Sequence, residues 1–91
     1  MTTDPRSLPP QLPQSHTTSL DVAAFLLVRG FQIARVDLVG RTATFTFNDP
    51  EQRAETVTHE FYNGGQVAAN EYAAAQKQTR DLMWEAKRRA S

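Results

Sequence analysis

The sequence predicts an α+β fold: a two-stranded antiparallel hairpin packed with three helices, in the order α-β-β-α-α. Three observations carry that prediction. The stretches "ARVDLV" and "TATFTF" alternate apolar and polar residues with period two, the pattern of half-buried strands. A helical stretch that is apolar nearly all round, from "TSLD" to Arg29, precedes them. Two further segments with helical spacing follow. Ninety-one residues allow one domain with a modest core.

Residues 1–17, "MTTDPRSLPPQLPQSHT", hold all but one of the prolines and show no apolar period, so they read as a flexible proline-rich arm. Within it "LPPQLP" is either an unstructured leader or a segment able to dock on an aromatic groove. Residues 18–91 then form the single small α+β domain. Its first helix opens at "TSLD", where Thr18 can cap and Asp21 can reach back. The helix runs to Arg29 and stops at Gly30. Leu20, Ala23, Ala24 and Leu27 make one face, and Val22, Phe25 and Leu26 another, so the helix is expected to be buried on both sides.

The hairpin turns at Gly40 and Arg41, a two-residue turn with glycine first. Pairing Val39 with Thr42 gathers Ala34, Val36, Leu38, Ala43, Phe45 and Phe47 on one face, and Arg35, Asp37, Thr44 and Thr46 on the other. In "NDPEQ", Asp49 caps the second helix, Pro50 takes its first position and Gln52 completes a capping box. Ala54, Val57, Thr58 and Phe61 form its buried stripe, with Tyr62 half-buried beside them. In "FYNGG", Asn63 or Gly64 closes the helix in a left-handed conformation and Gly65 loosens the exit, with a ligand-binding loop as the other reading. Val67 re-enters the core. The third helix spans about Ala69 to Arg89, with a core stripe of Ala68, Tyr72, Ala75, Thr79, Leu82, Met83 and Ala86.

The stretches "SLDVAAFLLVRGF", "FTFNDPE" and "FYNGG", with the following Val67, resemble a family of short uncharacterised domains of bacteria, phages and mobile elements. The resemblance covers residues 19–83. It implies the fold above in a cytoplasmic, mobile-element context. It implies no activity and no site residue.

Composition excludes more than it selects. No cysteine is present, which removes disulfides and thiolate nucleophiles. No P-loop, GxSxG, HExxH or CxxC occurs, so the chain is read as no enzyme, with no cofactor and no metal. His59 and Glu55 are spaced for a surface pair and lack a convergent third ligand. Glu51, Glu55 and Glu60 read as a solvated acidic surface. No segment approaches the ~20 apolar residues of a membrane span, and no apolar signal core opens the chain, so a cytoplasmic protein is expected.

Ten basic and ten acidic side chains cancel, but not along the chain. Six acids face two bases between Asp37 and Glu71, whereas five bases face two acids from Lys77 onward. Lys77, Arg80, Trp84 and Arg88 share one side of the third helix, with Lys87 and Arg89 near. A tryptophan among cations can stack on a nucleic-acid base, pack within its own chain, or anchor a protein interface. Two functions follow as expectations. One is a non-catalytic protein-interaction module that self-associates through Val22, Phe25, Leu26 and Trp84. The alternative is a nucleic-acid-binding accessory protein using Lys77, Arg80, Trp84, Lys87, Arg88 and Arg89.

Overall fold

The computed structural model describes residues 13–90, the side chain of Ala90 excepted. Most of "LPPQLP" lies outside the described residues. The elements are β1 (Gln14–Thr17), α1 (Leu20–Val28), β2 (Gln32–Val39), β3 (Thr42–Asn48), α2 (Ala54–Tyr62) and α3 (Ala69–Ala90). The fold is α+β, as expected, but the sheet has three antiparallel strands in the order β1-β3-β2. The added strand, β1, stands where the sequence reading ended a flexible arm. It pairs Ser15 with Phe47 and Thr17 with Phe45. A strand of four residues after a proline-rich stretch carries too few side chains to show a period, so only β3 reveals it.

The hairpin register is the expected one, Val39 opposite Thr42 and Val36 opposite Phe45. It breaks once, between Ile33 and Arg35. The irregularity turns Ala34 out to solvent and brings Ile33 opposite Phe47, where it packs on the core. A bulge reverses which residue faces inward, and alternation alone cannot announce it.

Helix α1 is the centre of the packing. Val22 through Leu26 are all buried, and the helix lies against α2, α3 and β1. Val22, Phe25, Phe45, Phe47 and Val57 are the large apolar side chains sealed inside, each worth about 1.5–3 kcal/mol of burial. The N-cap is Ser19, whose hydroxyl accepts from the Val22 N–H at 3.2 Å, rather than Thr18. At the other end the Phe31 N–H reaches the Leu26 carbonyl and the Gly30 N–H the Leu27 carbonyl, the double bond of a Schellman closure.

Helix α2 closes the same way, and this answers what "FYNGG" is for. The Gly65 N–H donates to the Glu60 carbonyl at 2.7 Å and the Gly64 N–H to Phe61 at 3.4 Å. Gly64 holds the left-handed position, φ +83°. Gly65 is needed for another reason. A Cβ there would meet the Glu60 carbonyl oxygen at 2.8 Å and the Phe25 ring at 2.9 Å. The glycine lets the chain exit directly over Phe25, so it locks the exit rather than loosening it. Tyr62, expected half-buried, is 70% exposed, its ring edge-on to Phe61.

The start of α2 departs from the expected capping box. Asp49 does not open the helix; the turn Asp49–Gln52 comes first, closed by Gln52 N–H to the Asp49 carbonyl at 2.9 Å. Gln52 takes positive φ, +53°, and the helix begins only at Ala54. The Asp49 carboxylate nevertheless caps it across that turn, accepting from the Arg53 N–H at 2.7 Å and the Ala54 N–H at 3.1 Å. Ser15 Oγ donates to the same carboxylate at 2.7 Å, and the Asp49 N–H donates to the Pro13 carbonyl. Burial pushes this carboxyl's pKa up, but the Ser15 hydroxyl, the two backbone donors and the Arg53 charge outweigh it, leaving it below the ordinary value.

Helix α3 packs along α1 and then β2. Ala75, Thr79 and Ala86 are buried as expected, while Ala68 lies before the helix and is exposed. Thr79 keeps its hydroxyl satisfied on the Gln76 carbonyl, 2.9 Å away. Tyr72 and Gln76 donate to the Asp21 carbonyl and carboxylate, fastening the first turns of α3 to the first turn of α1.

Two outcomes follow. Asp49→Ala leaves the buried Ala54 N–H without its acceptor and should cost about 2–3 kcal/mol in urea unfolding at pH 7. Because the native carboxyl titrates below its unfolded value of about 3.9, its contribution is full above that value and disappears as pH falls through the native pKa. The gap between wild type and Asp49→Asn should therefore shrink at pH 2–3. In the second, Gly64→Ala places a side chain in open space at positive φ and should cost about 1–2 kcal/mol. Gly65→Ala must move backbone and should cost at least as much, read as a lowered Tm.

Candidate functional site

The structure separates the residues that the sequence grouped. Lys77, Arg80, Trp84 and Arg88 do lie on the outer side of α3, all exposed. Trp84 is 54% exposed, so its ring is not sealed inside its own chain. Lys87 is half-buried and holds its Nζ 4.8 Å from the centre of the Trp84 ring, a cation–π contact. Arg89 leaves the group. It reaches Glu85 at 3.3 Å and, with its other terminal nitrogen, the Val36 carbonyl of β2 at 3.3 Å. Spacings of three and four keep four side chains on one stripe, and position 89 falls about 100° past Arg88.

The other expected interface is absent. Val22, Phe25 and Leu26 are 1–2% exposed, enclosed by the sheet and the other helices of the same chain. The two-sided apolar character of α1 corresponds to burial on both sides. Its cause is a sheet on one side and neighbouring helices on the other, and no second subunit is required to cover it.

Sequence reasoning missed a groove of about 430 Å³ between β1 and α2. Ser15, His16 and Thr17 form one wall, and Glu55, Thr58, His59 and Tyr62 the other, over Leu26 and Ala54. His16 is held by Nδ1 against the Thr46 hydroxyl at 3.0 Å. Both histidines and the exposed tyrosine thus border one hollow, though 46 positions separate His16 from Tyr62. No linear spacing signals this, because the juxtaposition depends on β1 being a strand. Among the described residues no group of three His, Cys, Asp or Glu side chains is placed to hold a metal ion. Among them, too, no helix is long and apolar enough to cross a membrane.

The geometry defines a small α+β domain with helices over one face of a three-stranded sheet. The model of a family described as a domain of unknown function, DUF5659, matches residues 14–85, and the chain belongs to that family. The matched span begins with the first residue of β1 and stops short of Lys87, Arg88 and Arg89. No curated protein matches the chain, and no solved structure does.

Trp84 and Phe25 give opposite expectations. Trp84→Ala removes an exposed ring and should change unfolding free energy by no more than about 0.5–1 kcal/mol. Phe25→Ala opens a cavity under Gly65 and Phe61 and should cost about 3–5 kcal/mol. Chemical denaturation of the two variants side by side checks both.

Proposed function

We propose that this chain is a small non-catalytic protein-interaction module that associates with copies of itself. Its setting is the cytoplasm, in the bacterial, phage or mobile-element context that the family resemblance implies. The observation that carries the reading is aromatic surface that the fold leaves more than half open to solvent. Trp84 and Tyr62 are 54% and 70% exposed on two different helices, in a chain with few aromatics to spare for its core. Rings of this kind anchor protein interfaces, where burial of one large side chain contributes more than many small contacts. A core this small also leaves a narrow margin of stability, which association adds to by mass action.

A nucleic-acid reading is favoured by one arrangement, the exposed Lys77, Arg80, Trp84 and Arg88 on one stripe of α3. Against it stand a net charge of zero and the Lys87 ammonium already seated on the ring that a base would need.

Light scattering across a concentration series is the test. Self-association predicts a mass above that of one chain, rising with concentration and unaffected by oligonucleotides. A mass that stays at one chain throughout, joined by salt-sensitive oligonucleotide binding, would replace the first reading with the second. In that event Arg80→Ala with Arg88→Ala should lower the salt slope by about one to two units.

A further inference from the structure

A three-stranded sheet of order β1-β3-β2 has two edges, and among the described residues the β2 edge is the better guarded. At the β2 edge the Val36 carbonyl is taken by the Arg89 guanidinium at 3.3 Å. The same strand carries the irregularity between Ile33 and Arg35 and the Arg35–Asp37 ion pair at 2.8 Å. Bulges, charges and capped carbonyls are the devices by which proteins prevent a further strand from adding. The β1 edge has none of these three, and is blunted only by its four-residue length and the Pro13 before it. Its sequence, Gln-Ser-His-Thr, contains no arginine, lysine, aspartate or glutamate, and its register with β3 is regular. Among the described residues no strand lies on its outer side.

The hydrogen-bond phase of β1 follows from one contact. The Asp49 N–H donates to the Pro13 carbonyl, so residues 13, 15 and 17 bond inward to β3. Gln14 and His16 therefore turn their N–H and C=O groups outward. That pattern is self-complementary. A two-fold axis through Ser15 sets Gln14 opposite His16 of a second copy and the reverse, and each such pair exchanges two hydrogen bonds. At the axis the two Ser15 residues meet as a closely spaced, non-bonded pair, where a small side chain fits. Neither strand carries a fixed charge to repel the other.

We propose that a second copy of this chain adds its β1 antiparallel to β1, making one continuous six-stranded sheet across a two-fold axis at Ser15. The inference rests on the self-association reading and places its contact at the β1 edge rather than on α3.

Sedimentation equilibrium on the full chain separates the possibilities. Gln14→Pro removes an outward N–H while leaving every inward bond to β3, and it should weaken dimerisation about tenfold or more; Gln14→Ala keeps the N–H and should dimerise like the wild type. A cross-link gives an independent readout should the proline disturb β1. The chain has no cysteine, and the axis brings the Ser15 Cα atoms to about 4.5 Å, within disulfide range. Ser15→Cys gives up the Ser15 bond to Asp49, so it is first shown to unfold cooperatively like the wild type; oxidised, it should then become a covalent dimer, and Thr42→Cys at the hairpin tip should not. If the wild type dimerises while Gln14→Pro dimerises equally well and Ser15→Cys stays uncross-linked, the β1 contact is wrong and self-association lies elsewhere. A wild type that is monomeric at every concentration overturns both readings.

Discussion

The Asp49 carboxylate is the junction on which the arrangement depends. It is 4% exposed, and its two oxygens take three donors from two separate parts of the chain. Ser15 belongs to β1; the Arg53 and Ala54 N–H groups begin α2. The same residue's own N–H holds Pro13 at the entry to β1. Both walls of the groove thus hang on one carboxylate, and the spacing between strand and helix is fixed at hydrogen-bond length. An ionised acid at a helix N-terminus is also placed favourably in the field of the helix dipole. Neutralising it loosens the strand and the helix together.

The helices and the hairpin were legible because their apolar spacing is a local property. The alternation of "TATFTF" fixed β3 and its inward face, and the glycines after Arg29 and Asn63 marked both helix ends. What the sequence concealed is non-local. Position β1 has only four residues, and its identity as a strand lies in its partner. Asp49 is legible as a cap, but the turn between it and Ala54 depends on Gln52 adopting positive φ, which glutamine does not advertise. Whether Trp84 is covered cannot be decided from a helical wheel; the structure leaves it 54% exposed. Arg89 was placed with the other cations by proximity in sequence, and only the lie of α3 over β2 shows that it serves the sheet.

The uneven charge along the chain also changes meaning in three dimensions. Much of the acidic middle segment is answered within the chain: Asp37 by Arg35, Glu60 by Arg29, Glu51 by Arg53. Arg29 also lies over the Phe25 ring at 5.5 Å, so one side chain links the end of α1 to the end of α2. Exposed pairs such as these contribute little stability individually. Their effect is to leave the domain without a strong single-signed field, while the cations of α3 keep a surface of their own around Trp84.

The lie of α3 has a consequence for how the chain comes to be folded. Its first turns fasten to Asp21 and its last to Val36, contacts that span 51 and 53 positions. During synthesis α1 and the hairpin leave the ribosome long before the residues that cover their remaining apolar side. Until α3 arrives, Leu27 and its neighbours on α1 stay open to water, and the β2 edge lacks its arginine. The nascent domain is thus a half-covered intermediate with an unguarded strand, the kind of species most prone to mispairing. Completion of the C-terminal helix is the step that closes the core and blocks that edge at once.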